Sequence, residues 1–174
     1  GRGQSPPDRA AWLDEQEHIF ALEGIQEAGA TPWGALLLRD AIRQADYWAG
    51  QMAAALELCD CDDGFNANYA PSLSATLEGL RRFAAGARLG WDAARTQLPI
   101  PFPTPGRKRV AALPPEAEQV KDLRSRCKKR MEKLEEGFED SSADLLSDLR
   151  AVYPAVRGLF RLVRDFEAAY TAER

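Results

Sequence analysis

Basic side chains are concentrated in one part of the sequence, where they could bind phosphate groups. Residues 107–133 hold 10 Lys/Arg and 4 Asp/Glu, a balance of +6, whereas the whole chain of 174 residues carries −4. Contacts of this kind with a nucleic-acid backbone would be independent of base sequence and would weaken with salt. Six residues are the candidates for contact with a nucleic-acid backbone: Arg107, Lys108, Arg109, Lys121, Arg124 and Lys128.

The same stretch has a simpler interpretation as a solvated helix surface. Glu132, Glu135 and Glu136 follow the cations and could pair with residues three or four positions away. Aromatic residues do not alternate with the cations, so stacking on single-stranded bases is not expected. Charge alone therefore leaves both a phosphate-binding surface and an ordinary exposed helix face open.

Motifs for catalysis are missing from the sequence. It contains no phosphate-binding G-x-x-x-x-G-K-[ST] loop, no G-x-S-x-G and no H-E-x-x-H. His18 is the single histidine, which argues against a histidine mechanism or a His-rich metal site. Cys59, Cys61 and Cys127 have no fourth cysteine as a companion, so we expect reduced, inert thiols. We therefore expect no catalytic residue, metal or cofactor in this segment.

An acidic cluster offers an alternative chemistry. Its spacing resembles the Mg²⁺-binding carboxylates of all-α nucleoside-triphosphate pyrophosphatases of the MazG kind. Gly137 and the pair Ser141-Ser142 interrupt the pattern, and acidic residues in a first helical turn already stabilise the helix dipole. A MazG-like Mg-dependent pyrophosphatase is kept as an alternative function. The cluster comprises Glu135, Glu136, Glu139, Asp140, Asp144 and Asp148.

Apolar residues recur at steps of three and four along most of the chain, which predicts amphipathic helices. We expect the longest helix at about 31–58, after a Thr31-Pro32 cap, and others at about 70–89 and 116–139. The first of these stripes consists of Leu38, Ile42, Ala45, Ala49, Met52, Leu56 and Cys59. No long period-2 stretch is present. The fold class is therefore all-α, a bundle of long helices with more than about 60% helix.

Shorter or less regular segments complete the prediction. A first helix should begin at Ser5-Pro6 and end near Ala28, and Asp60 to Gly64 reads as a turn-rich loop. A short helical piece should follow Gly90-Trp91, and another helix should start at Ser141. The last helix should begin near Pro154 and bury an apolar stripe. That stripe consists of Val156, Leu159, Val163, Phe166 and Tyr170.

Prolines at every second position, Pro99 to Pro105, exclude a helix and favour an extended, polyproline-like strap. We place this flexible strap at 99–115, between an N-terminal helical part (1–98) and a C-terminal one (116–174). Together they form one helical accessory domain that we expect to be a fragment of a larger chain. Apolar runs are too short to span a membrane, and the cysteine usage is typical of a reduced cytoplasmic protein.

Several short motifs follow one another along the chain. SPPDRAAWLDE begins at Ser5, and Thr31-Pro32-Trp33 precedes the predicted long helix. In this order they resemble the S-x-P-x-x-x-x-WL stretch and the S-P-W entry to a long helix of AddA-type bacterial helicase–nuclease subunits. The helix with Tyr69 is similar to Y-x-x-x-L-x-x-D-L-x-x-L, although Thr76 stands where aspartate is usual. The resemblance continues through the second half of the chain. Trp91-Asp92, PFP from Pro101, Arg107-Lys108, the basic helix VKDLRSRCKKRMEKL and the final PAVRGLFRLVRDFEAAYTAER all have counterparts.

The resemblance implies subdomain 1B of an AddA-type, UvrD-like superfamily 1 ATP-dependent helicase/nuclease. Such a parent would hold a motor that uses ATP and Mg²⁺ and a RecB-like nuclease, both outside these residues. It would pair with an AddB-type subunit, with which it would process double-strand ends in recombinational repair in the bacterial cytoplasm. The segment would brace the motor and contact a duplex end or an unwound strand.

Two expectations remain to be separated. If the resemblance holds, the native chain continues with basic residues and an Asp-Phe-x-Asp-Leu sequence, and a phosphate-binding loop precedes the segment. The alternative is a free-standing helical protein-interaction module that does not touch DNA.

Overall fold

The computed structural model describes residues 9–14 and 25–172 and contains helices joined by short connections and one long strap. Residues 9–14 are helical, and 3₁₀ turns occur at Ala28–Ala30 and Cys59–Cys61. The described part of the chain has no strand, so the predicted all-α class is confirmed. The helices are α1 (Pro32–Leu58), α2 (Asp63–Leu89), α3 (Trp91–Arg95), α4 (Pro115–Glu136) and α5 (Ser142–Ala172).

The first long helix begins at the predicted cap. Thr31 Oγ1 accepts a hydrogen bond from the Gly34 N–H at 2.9 Å and donates one to the Ala28 carbonyl at 2.7 Å. Pro32 occupies the first helical turn, where its missing N–H costs nothing. The predicted helix at 31–58 is therefore confirmed, and its apolar stripe faces the core.

The second helix starts earlier than the sequence suggested. The turn-rich loop predicted at Asp60 to Gly64 ends earlier than expected. A 3₁₀ turn covers Cys59–Cys61, and Asp62 Oδ1 accepts from the Phe65 N–H at 2.8 Å and caps α2. The helix thus begins at Asp63 rather than near residue 70, and Pro71 lies inside it. Pro71 is exposed, so the helical carbonyl that its ring leaves without a partner can be hydrated.

The predicted N-terminal helix falls only partly within the described residues, of which 9–14 are helical. Residues 25–27 are not helical, so the predicted extension to Ala28 is wrong. Its expected start at Ser5-Pro6 lies outside the described residues.

The C-terminal region is one continuous helix instead of two. α5 runs for 31 residues through Pro154, which makes it longer than α1 with its 27. The predicted burial of Leu159, Val163, Phe166 and Tyr170 is also wrong, since these side chains are 37–73% exposed. The side chain of Val156 lies outside the described part of the structure. Neither α5 nor any other helix among the described residues is both long and apolar enough to cross a bilayer.

One continuous hydrophobic cluster joins α1, α2, α3 and α4. α1 packs against both α2 and α4, and Met52, Leu73 and Met131 are completely buried. Phe138, just after α4, stacks on Trp91 with ring centroids 4.4 Å apart and meets Phe83 edge-on at 5.6 Å. The side chains on both sides of the strap therefore share this core.

The short α3 holds the turn between α4 and α5. Trp91 Nε1 donates to the Asp140 carbonyl at 2.8 Å, and the Arg95 guanidinium donates to the carbonyls of Phe138 and Glu139. Asp92 Oδ1 accepts from the backbone N–H of Ser142 at 2.8 Å, at the first residue of α5. These bonds set where α5 leaves the bundle.

Candidate nucleic-acid interface

A ladder of small polar residues runs along α2. Asn68, Ser72 and Thr76 are four residues apart, so they lie on the same face of the helix, and all three are buried. Buried polar groups require hydrogen-bond partners. On this face the partners come from the proline-rich strap, which lies antiparallel to α2.

Hydroxyl groups bind the proline part of the strap. Thr76 Oγ1 donates to the Pro101 carbonyl at 2.6 Å, and Ser72 Oγ donates to the Pro103 carbonyl at 2.5 Å. Proline has no N–H, so at these positions the strap offers acceptors only, and hydroxyl donors fit them. Gly79 lets the strap come close, because a Cβ there would overlap the ring of Pro101.

An amide binds the basic part of the strap. Asn68 Nδ2 donates to the Lys108 carbonyl at 2.8 Å, and Asn68 Oδ1 accepts from the Lys108 N–H at 2.9 Å. The Gly106 N–H also donates to the Asn68 carbonyl at 2.9 Å. The N–H and the carbonyl of Lys108 are therefore both bonded to the Asn68 side chain, while the Lys108 side chain is exposed.

α4 also binds the strap. Arg124 Nη2 donates to the Pro103 carbonyl at 3.0 Å and to the Phe102 carbonyl at 3.3 Å. Glu135 Oε1 accepts from the Ile100 N–H at 2.9 Å. Two expectations are corrected here. The strap is bonded between two helices rather than flexible, and Arg124 is half-buried rather than directed outward.

The six candidate cations are distributed over the strap and α4. Arg107, Lys108 and Arg109 are exposed, and none of them forms an ion pair with any described carboxylate. Lys128 is exposed as well, one helical turn from Arg124. Lys121 is half-buried, and its Nζ lies 3.5 Å from Glu118. The Arg107–Arg109 triad is thus the part most available to an external phosphate.

A second basic surface on the other side of α4 was not among the predicted candidates. Arg130 and Lys133 line a shallow groove of about 210 Å³ whose α1 side includes Asp40 and Gln44. Nearby, the guanidinium carbon of Arg126 lies 5.8 Å from the Trp48 ring centroid. The sequence could have indicated this surface, because Arg126 and Arg130 are four residues apart and do not lie on the apolar stripe of α4.

Bacterial helicase/nuclease subunits are similar to this chain along most of its length. No family model matches the chain. It is 33% identical over 174 residues to an ATP-dependent helicase/nuclease subunit of Desulforudis audaxviator, and 26% identical over 176 residues to the protein of that name from Acetivibrio thermocellus. The corresponding Clostridium novyi protein is 24% identical over 162 residues. The chain is distantly homologous to one region of these AddA-type helicase/nuclease subunits.

The aligned region covers very different shares of this chain and of its relatives. The aligned region covers 96% of this chain and 14% of the Desulforudis audaxviator protein, with 98% and 14% for the Acetivibrio thermocellus one. The chain therefore spans about one seventh of the length of the curated relatives that it matches. The similarity along nearly the whole chain agrees with the ordered motifs found in the sequence.

Members of the acidic cluster take part in separate structural contacts. Glu135 binds the strap, and the backbone carbonyls of Glu139 and Asp140 accept from α3. Asp144 lies in the first turn of α5, where its N–H donates to Ser141 Oγ at 3.1 Å. Within residues 9–14 and 25–172, no three His, Cys, Asp or Glu side chains are placed to hold a metal ion.

Two of the three cysteines are completely buried. Burial raises the pKa of Cys59 to about 11 and that of Cys127 to about 12. Cys61 is exposed, and partial desolvation together with the Glu116 carboxylate raises its pKa as well. Because the thiolate is the reactive form, none of these thiols is activated as a nucleophile or a ligand at neutral pH.

Proposed function

We propose that this chain is the helical accessory subdomain, of the 1B type, of an AddA-type ATP-dependent DNA helicase/nuclease. The observation that carries the proposal is the alignment of 96% of the chain, at 33% identity, with one region of such a protein. The parent protein would use ATP and Mg²⁺ bound outside these residues. With an AddB-type partner, it would process double-strand ends for recombinational repair in the bacterial cytoplasm.

Within that parent, the Arg107–Arg109 triad would contact the DNA backbone. Three exposed cations follow one another on a backbone that Asn68 holds through Lys108. An ordered backbone lowers the entropy lost when the side chains bind phosphates. Lys128 would add a further contact from α4, next to the strap. Binding through these residues would not depend on base sequence and, for the isolated chain, would lie roughly at 10⁻⁴–10⁻⁶ M at physiological salt.

The strap would also connect the Arg107–Arg109 triad mechanically to the long helices of the subdomain. It is bonded to α2 through Ser72 and Thr76 and to α4 through Arg124 and Glu135. A phosphate bound by the triad is therefore connected to two long helices rather than to a free loop. This arrangement supports the bracing role that we propose for the segment.

The test is a charge reversal in the full helicase/nuclease subunit with its partner. Arg107→Glu, Lys108→Glu and Arg109→Glu together should weaken binding to duplex ends. The slope of log affinity against log salt should fall by about 0.9 for each lost phosphate contact. The matched control reverses Arg39, Arg43 and Arg81, three exposed arginines outside the strap, for the same change in charge. Equal effects of the two triple variants, or no effect of either, would contradict the proposed contact.

A free-standing interaction module is the second candidate, favoured by the exposed apolar side chains of α5. In that case, the chain would bind a separate helical protein and would show no salt-dependent affinity for DNA. Duplex titration of the purified chain at low salt distinguishes the two functions, because only the first predicts measurable binding that the triple reversal removes.

A further inference from the structure

α5 exposes a row of large apolar side chains. Successive helical residues are about 100° apart, so the members of this row fall on one face of the helix. We call this row the α5 stripe, and its exposed fractions are high for apolar side chains. It comprises Val152 (55%), Leu159 (59%), Leu162 (65%), Val163 (37%) and Phe166 (73%).

Such a row requires a physical explanation. Single exposed apolar residues are ordinary on protein surfaces, but a contiguous apolar patch marks a surface that another molecule or domain covers. The start of α5 does not need such a cover, because Leu146 is buried against the bundle. Farther on, Arg150 donates to the Ile25 carbonyl at 2.7 Å, and the α5 stripe begins just beyond this contact.

The helical segment at residues 9–14 contacts α5 on another face and leaves the α5 stripe uncovered. Arg9 Nη1 lies 3.2 Å from Glu167 Oε1, and Arg164 forms a second ion pair with Asp14. At about 100° per residue, position 167 lies roughly 85° and position 164 roughly 145° around α5 from the middle of the stripe. The segments at 9–14 and 164–167 are therefore neighbours, and they meet on a different face of α5 from the stripe.

We propose that the α5 stripe is the surface through which this segment packs against the remainder of the same, longer subunit. The inference rests on the proposed function, since it requires a parent polypeptide. The extent of the homology identifies that occupant. The homologous region is 14% of its relatives, so most of such a protein lies outside this segment.

The occupant should present a complementary apolar surface. Burying side chains such as Leu162 and Phe166 removes apolar area from water without requiring a specific polar partner. A covalently connected domain also binds at a high effective concentration, so a stripe of modest size is sufficient.

Thiol labelling tests this proposal directly. The exposed Cys61 is first replaced by serine, which leaves the buried Cys59 and Cys127. Leu162→Cys and Phe166→Cys are then introduced singly, both in the 174-residue chain and in the full subunit. Leu89→Cys serves as the matched control, since Leu89 is 84% exposed on α2. Maleimide labelling rates of the folded proteins are compared between the two forms.

We expect stripe thiols to react at least about tenfold more slowly in the full subunit than in the isolated chain, while the control thiol reacts similarly in both. Equal rates at the stripe positions in the two forms would overturn the proposal. Protection that appears in the isolated chain and rises with its concentration would also overturn it, by identifying a second copy as the occupant. Protection only after the partner subunit is added would overturn it in favour of that subunit. None of these outcomes depends on DNA binding by the Arg107–Arg109 triad.

Discussion

The side-chain amide of Asn68 and the backbone of Lys108 exchange two hydrogen bonds, one in each direction, at 2.8 and 2.9 Å. Asn68 is buried on α2, whereas Lys108 is a strap residue with an exposed side chain. The pair converts a basic loop into a positioned element, because the amide matches both the donor and the acceptor of one residue's backbone. The proposed phosphate contacts depend on this match.

Replacing Asn68 with alanine should therefore loosen the strap. We expect Asn68→Ala to lower the free energy of unfolding by about 1–2 kcal/mol, since two hydrogen bonds are lost. Amide exchange at Lys108 should also become faster. Urea unfolding and hydrogen exchange of the 174-residue chain measure these effects. Asn66→Ala is the control, because its bond to Asp60 is exposed and should contribute less than about 0.5 kcal/mol. Equal effects of the two variants would contradict this account.

Arg124 and Lys128 should behave differently although each contributes one positive charge to α4. Arg124→Gln removes donors to two strap carbonyls and should cost about 1–2 kcal/mol of unfolding free energy. Lys128→Gln should change that free energy by less than about 0.5 kcal/mol, because Lys128 is exposed. Urea unfolding of both variants is sufficient to compare them. Similar losses would mean that Arg124 does not hold the strap.

The buried thiols predict a loss of stability at high pH. Unfolded cysteines ionise near the reference pKa of 9.0, whereas folded Cys59 and Cys127 keep their protons until about 11 and 12. The unfolded state therefore releases protons first, so the free energy of unfolding decreases as the pH rises above about 9. Urea midpoints at pH 8 and 10 measure the decrease. Cys127→Ala should reduce this pH dependence, and an unchanged dependence would count against a raised pKa.

The isolated chain should be catalytically silent. The sequence lacks a phosphate-binding loop, and the described carboxylates do not gather around a common point. We expect no hydrolysis of ATP, dNTPs or DNA above background when Mg²⁺ is supplied. Turnover that Glu136→Ala abolishes would instead support the MazG-like alternative.

Sequence patterns predicted the strap but not what it binds. Alternating prolines exclude a helix by local geometry alone, so the extended backbone was accessible from the sequence. Its partners are the polar residues at 68, 72 and 76, which inside a helix could equally face water. Arg124 illustrates the same difficulty, since its place in a cationic run gave no sign that it binds carbonyls. Pairing between segments depends on long-range packing that spacing does not encode.

The α5 stripe shows a different limit of sequence reasoning. An apolar face predicts that something covers the helix, and Leu159 and Phe166 follow that pattern. The pattern does not say whether the cover belongs to the same chain. The start of α2 was missed for a simpler reason. Asp62 was assigned to a turn, although aspartate is also a preferred helix cap.

The hydrogen bonds along the strap make its length between Pro101 and Lys108 significant. Surface loops usually tolerate insertions and deletions, because their backbone groups are hydrated in many conformations. Here the acceptors at Pro101 and Pro103 and the backbone of Lys108 must coincide with side chains spaced four apart on α2. A residue added or removed between Pro103 and Lys108 would shift one bonded point relative to the other. This segment should therefore vary in the identity of its outward side chains but keep its residue count, like a strand within a sheet.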